Sequence, residues 1–133
     1  MISPSRFLLA AGLLFAAGFA ASPASAQITE IEKLDAARDA YLKKNYDRAF
    51  YLWLGLCQGA NRGACYNLGL MYARGEGAPV DYVEAYKWIH IAAEDGLPEA
   101  VAGRARLASS MEASEIKEAM DKAAQWKIDN GWR

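Results

Sequence analysis

Two amphipathic runs, Ala64 to Arg74 and Tyr82 to Asp95, are joined by seven residues, Gly75-Glu76-Gly77-Ala78-Pro79-Val80-Asp81. The pattern predicts a helix, a sharp turn and a second helix. Small residues (Ala64, Gly69, Ala85, Ala92, Ala93) stand where two helix backbones must approach, and large ones (Leu68, Tyr72, Tyr82, Trp88, Ile89) stand at helical spacing from them. Small against large is the composition of a tightly packed helical hairpin.

The local punctuation agrees. Gly75 follows the first run, where a left-handed backbone conformation costs glycine little. Asp81 is placed to cap the second helix with Glu84 three residues on. Gly96 ends that helix and Pro98 opens the next, at a position whose missing N–H costs nothing.

At an offset of 36 residues, Cys57 to Ala64 aligns with Ala93 to Ala100, so the turn between hairpins recurs at the same length. Before it, Thr29 with Glu32 reads as a capping box opening a helix from Glu30 to about Lys43, with Ile31, Leu34, Ala37, Ala40 and Tyr41 periodic. Asn45 caps a second helix, Tyr46 to about Gln58, with Ala49, Phe50, Trp53 and Leu56 periodic. After it, Pro98 to about Ala108 and Ala113 to about Ile128 form a third pair, with Ser109 to Glu112 as the turn. The predicted fold is all-α, a right-handed superhelical (solenoid) stack of three helix pairs at about 29–58, 62–95 and 98–128, near the minimum for a continuous stacked core. Arg104, where the full repeat has Leu68, marks the third pair as a terminal cap whose outer face meets water.

Residues 1–26 read as a secretory signal peptide rather than as part of the domain. Arg6 supplies the positive start, Phe7 to Ala20 is uncharged and apolar, and Ala24-Ser25-Ala26 fits a cleavage site before Gln27. The apolar stretch is shorter than the roughly 20 residues that span a bilayer. A protein of the periplasm, or one secreted beyond it, is therefore expected, with 27–133 as its single helical domain. Because Arg6 is the only charged residue removed, the remaining 107 residues carry a formal charge of −2. That mixed, near-neutral surface lacks the clustered bases that nucleic acid or an anionic membrane requires.

The order Ala64, Tyr66, Leu68-Gly69, Tyr72, Gly75-x-Gly77, Asp81, Ala85, Trp88, Ala92-Ala93, Gly96 resembles one complete Sel1-like repeat, a relative of the tetratricopeptide repeats. Ala78 departs from the valine usual there. Ala40-Tyr41, Asn45-Tyr46 and Ala49 resemble the tetratricopeptide form of the hairpin, with a shorter turn.

Cys57 and Cys65 are the only cysteines. Export and an even count point to a disulfide between two helix ends that the turn brings together. The alternative is a pair of small buried residues, as Ala93 and Val101 are at the equivalent positions. The spacing also resembles the cysteine-rich branch of the family, where a bridge joins neighbouring repeats. The single histidine, His90, reads as a solvent-facing helix residue, and Glu84 with Lys87 as a solvated surface pair. Trp53 and Trp88 read as core, and Trp132 as a fraying end.

No catalytic constellation is evident, and neither a metal nor another cofactor is expected. In tetratricopeptide-like arrays the first helices line a concave face. That resemblance directs Tyr66, Asn67, Leu70 and Arg74 toward a groove, joined by Asp35, Arg38 and Tyr41 from the first pair. Asn67 falls where such repeats often hold an asparagine that bonds a peptide main chain. The implied role is a non-catalytic adaptor or scaffold that binds a protein or peptide of a Gram-negative cell envelope. Two alternatives stand beside it. One is a penicillin-binding or weak β-lactamase-like enzyme of the cysteine-rich Sel1-like type, against which the single cysteine pair, instead of many, counts. The other is a structural or regulatory subunit without a groove.

Overall fold

Over residues 24–132, which the computed structural model describes, the chain forms α1 (Ala24–Leu42), α2 (Tyr46–Gln58), α3 (Arg62–Arg74), α4 (Tyr82–Ala93), α5 (Pro98–Ala108) and α6 (Ala113–Asp129). No strand occurs among the described residues. The leader predicted for residues 1–26 lies outside them, apart from its last three residues.

Side chains set most helix starts. The Asn45 carboxamide oxygen accepts from the Arg48 N–H at 3.3 Å, and Asp81 accepts from the Glu84 N–H at 2.9 Å, both as expected. Asn61 does the same for Ala64 at 2.9 Å, which starts α3 two residues earlier than its apolar periodicity indicates. Glu112 and Glu115 form a reciprocal capping box at the start of α6. Helix α1 begins at Ala24 and continues through the predicted cleavage point, so Thr29 lies within the helix and not at its start. Helix propensity in Gln27 to Glu32 outweighs the capping signal there.

The loop glycines have a tertiary purpose. Gly75 and Gly77 have φ of 70° and 77°, in the left-handed region. A Cβ on Gly77 would lie 2.8 Å from the Tyr46 carbonyl oxygen and 3.0 Å from Phe50 Cβ. The loop of the full repeat therefore rests directly on the first turn of α2, which ties the first hairpin to the second.

Helix α4 is the centre of the packing. Eight of its twelve residues are buried, Ala85, Trp88, Ala92 and Ala93 among them, and α3, α5 and α6 all lie against it. Gly69 of α3 sets its distance from α4, since a Cβ there would stand 2.6 Å from Ile89 Cγ1 and 2.9 Å from the Ala85 carbonyl oxygen. Leu68 and Met71 fill the space on either side of that contact and are at most 1 % exposed. Tyr72 packs edge-on against Phe50 of α2 at 5.2 Å between ring centres. Tyr82, expected inside, is 49 % exposed because it occupies the first position of α4, ahead of the overlap with α3.

The third pair departs from the hairpin expected of it. Helices α5 and α6 each pack on α4 and make little close backbone contact with one another. The position 36 residues after Gly69 is Ala105, so no glycine sits where a hairpin partner would need close approach. Instead Gly103 faces Tyr66 of α3, and a Cβ there would meet the Tyr66 ring at 3.0 Å. Helix α6 reaches α4 through Trp126, whose ring meets Trp88 at 5.0 Å, edge to face.

Trp132 does not fray. It stacks edge-on against Trp126 at 4.9 Å, and the Arg62 guanidinium lies 4.3 Å above its ring. Arg62 also pairs with Asp95 and donates to the Ile91 carbonyl at 2.9 Å. The end of the chain is thus held by the start of α3. Glu84 and Lys87 are likewise drawn inward, with side chains 18 % and 11 % exposed and 2.6 Å apart. Lys87 lies over the Trp88 ring at 4.2 Å, and Glu84 also receives Lys122 from α6 at 3.3 Å. The approach of α6 is what covers this pair.

Cys57 and Cys65 are joined by a disulfide, with their Cα atoms 4.8 Å apart. It links the end of α2 to the start of α3, and both residues are fully buried.

Three measurements test this packing. Gly69→Leu should abolish cooperative thermal unfolding, and even Gly69→Ala should cost about 1 to 3 kcal/mol, since backbone atoms block the added carbon. Gly55→Ala, with nothing within 4 Å of the new carbon on an exposed helix face, should instead stabilise by about 0.5 to 1 kcal/mol. Reducing the disulfide should remove roughly 2 to 3 kcal/mol by freeing the short loop, and lower Tm on the order of 10 °C with helical circular dichroism retained at room temperature. An unchanged Tm would show that the bridge carries no stability.

Candidate binding groove

Helices α1 and α3 stand side by side above α2, because each is the first helix of its pair and packs on the second. Between them is a cavity of about 300 Å³ lined by Arg38, Tyr41 and Leu42 of α1, Trp53 of α2, and Asn67, Leu70 and Arg74 of α3. The helical period explains the selection, since Arg38, Tyr41 and Leu42, like Asn67, Leu70 and Arg74, recur at intervals of three and four. Trp53 is only 4 % exposed and forms the floor.

Five of the seven residues assigned to the groove from sequence thus meet in one cavity: Arg38, Tyr41, Asn67, Leu70 and Arg74. Asp35 does not line it. It lies at the exposed surface of α1, 3.7 Å from Arg38. Tyr66 points the other way along α3, where its ring packs against Gly103. Trp53 and Leu42 were missed. Trp53 has the periodicity of a core residue and is one, so no sequence signal separates floor from core; Leu42 is an apolar residue at a helix end, 80 % exposed.

The polar groups of the cavity differ in freedom. Tyr41 Oη donates to Glu76 Oε2 at 2.9 Å and accepts from Arg74 Nη1 at 2.9 Å. Burial, and then the adjacent Glu76 carboxylate, push the Tyr41 phenol above its ordinary range. Arg74 is therefore committed in part to holding α3 and the Gly75–Asp81 loop against α1. The Asn67 carboxamide makes no hydrogen bond to a described residue, and Arg38 contacts only exposed Asp35. These two can address a ligand without giving up a structural bond.

A second polar cluster lies behind the groove. His90, expected in solvent, is 15 % exposed, with its ring stacked on Tyr86 at 6.0 Å. Its Nδ1 lies 3.2 Å from Arg104 Nη1. A guanidinium only donates, so Nδ1 is the acceptor and the proton resides on Nε2, facing Glu94 at 3.6 Å. Glu94 is in turn held by Lys127 of α6 at 2.6 Å. The arrangement explains Arg104, which bonds His90 instead of facing open water. Among the described residues, no group of three or more His, Cys, Asp or Glu is placed to hold a metal ion. No helix among them is long and apolar enough to cross a membrane.

Burial, and then Arg104 and Lys127, hold the His90 pKa below its ordinary 6.5, against the opposing pull of Glu94. The folded state therefore binds fewer protons than the unfolded one as pH falls through this range. Stability is full above about pH 6.5 and declines below it. A proton NMR titration, in which this lone histidine gives an isolated signal, should show a midpoint below 6.5. His90→Gln should lack that portion of the loss in Tm between pH 7.5 and 5.5. A midpoint at or above 6.5 would contradict the burial.

The chain has no significant match among curated proteins. Residues 38–54 and 63–97, the α1–α2 hairpin in part and the α3–α4 hairpin entire, match the family model described as Sel1 repeat. Over those residues the two hairpins are similar to the Sel1 repeat, a module that generally serves protein–protein interaction.

Proposed function

We propose that the protein is a non-catalytic adaptor of the cell envelope, exported by the leader at residues 1–26 and acting in the periplasm or beyond, and that it holds a peptide segment of another protein in the groove between α1 and α3. The observation that carries this reading is the cavity itself. It has an apolar floor of Trp53 and Leu70, with exposed Leu42, the unengaged amide of Asn67 and the guanidinium of Arg38 around it. That division suits a peptide: the floor takes a side chain, the amide pairs with main chain, and the guanidinium meets a carboxylate. With two repeats contributing, the groove accommodates one short segment, so a modest affinity is expected.

Export accords with the disulfide, which oxidising compartments preserve. The bridge also fixes the end of α2 to the start of α3, and so holds the floor residue Trp53 at a set distance from Asn67 and Leu70.

The test is capture from envelope extract by the tagged protein, compared with Arg38→Ala/Asn67→Ala. Neither substitution removes a contact on which the fold depends, so both proteins should share one Tm. A partner retained by wild type and lost by the double variant, with a weakening of about tenfold or more when the purified pair is titrated, is the expected result. Equal retention would exclude the groove and favour a subunit that binds through another face.

A further inference from the structure

The groove does not stop at α3. On the other side of that helix lies a second hollow of about 250 Å³, lined by Leu70 and Ala73 of α3, Ile89 of α4, and Gly103, Arg106 and Leu107 of α5. Leu70 borders both hollows, so the two lie in line across the three first helices as one furrow interrupted by its side chain. The second hollow exists because α5 packs closely on Tyr66. At that approach a Cβ would press on the Tyr66 ring at 3.0 Å, a tight contact that glycine at 103 relieves. One turn further along α5, Arg106 and Leu107 are thereby brought to the furrow's edge.

The charge along this furrow is of one sign. Arg38, Arg74 and Arg106 line the two hollows, and no carboxylate does, although the chain as a whole carries more acidic than basic residues. Two acids contact residues of the lining without lining it themselves: Glu76 accepts from Tyr41, and exposed Asp35 pairs with Arg38 at 3.7 Å. Each hollow has an apolar base, formed by Trp53 and Leu70 in the first and by Leu70, Ile89 and Leu107 in the second.

From this we infer that the partner segment is acidic and extended, and that it places two apolar side chains, one in each hollow, with its carboxylates toward Arg38, Arg74 and Arg106. The inference rests on the groove being the binding site, as proposed above, and adds the chemistry of its occupant. Adjacent packed helices lie about 8 to 10 Å apart, so hollows on either side of α3 are separated by about that distance. Three residues of a polyproline-like backbone cover about 9 Å and return the side chain to the same face. The segment thus carries apolar residues at positions i and i+3, with aspartate or glutamate around them and main chain at Asn67.

The experiment is selection of random dodecapeptides displayed against the purified protein, followed by titration of the enriched peptides by fluorescence anisotropy. Enriched peptides should be acidic, with two apolar positions three apart, and alanine at either should weaken binding by about tenfold. Arg106→Glu, an exposed substitution with Arg106→Gln beside it, should weaken binding by about tenfold, and raising NaCl from about 50 to 500 mM should weaken it severalfold. If enriched peptides lose affinity for Arg38→Ala/Asn67→Ala but are neutral or basic, or are indifferent to Arg106→Glu, the acidic two-point segment is wrong and the groove stands. If no peptide is enriched, or binding ignores both sets of substitutions, the groove reading and this inference fail together.

Discussion

Gly69 stands against the Ala85–Ile89 turn of α4 with no room for a side-chain carbon, and the rest of the array takes its geometry from that contact. Two helices that nearly touch backbone to backbone leave Leu68 and Met71 to fill the flanks completely. They also fix how far the loop from Gly75 to Asp81 must reach. That loop then meets α2 through Gly77 and α1 through Glu76, so the spacing of one hairpin determines where its predecessor sits. The groove between α1 and α3 is a consequence of this arrangement: it is the room left on the open side when the second helices pack beneath.

Helix α4 shows why three pairs suffice. It is covered by α3 on one side and by α5 and α6 on the others, so the second repeat alone has a full set of neighbours. The terminal pair is arranged to cover α4 more than to repeat it. Trp126 and Trp132 close the end of the core, Arg62 lies over the Trp132 ring, and the pairs Glu84–Lys122 and Glu94–Lys127 tie α6 to α4 and its C-terminal end. A capping pair built this way has no need of the hairpin glycine. Without it, α5 is free to lean toward α3 through Gly103 and to extend the furrow.

Much of this is legible in the sequence, for identifiable reasons. Helix limits follow residues whose chemistry is local: Asn45, Asp81, Gly75 and Pro98 each act on their own turn of backbone. The pairing of Ala64 to Arg74 with the run from Tyr82 follows from size complementarity at helical spacing, whereas the groove residues come from the tetratricopeptide-like resemblance, and five of those seven line the cavity. What sequence obscures is tertiary. His90 and Arg104 each look like surface residues, and only the docking of α5 on α4 sets them 3.2 Å apart. Trp132 is the second-to-last residue of the sequence and reads as a fraying end, until Arg62 is seen above its ring. Tyr66 belongs to the period that faces inward to the groove, yet the leaning of α5 places it against Gly103. Thr29 illustrates the reverse, a local capping signal overridden because the residues before it also favour helix.

The central claim is that partners bind on the side where the first helices face one another. The most direct measurement is an amide chemical-shift map of the isotope-labelled protein titrated with its bound peptide or partner fragment. Shifts concentrated at Arg38, Tyr41, Asn67 and Leu70, extending to Leu107 of α5, are the outcome that the geometry of the furrow requires. Shifts confined to the exposed faces of α2 and α6, around Tyr51 and Ile128, would show that the protein engages its partner through the opposite side.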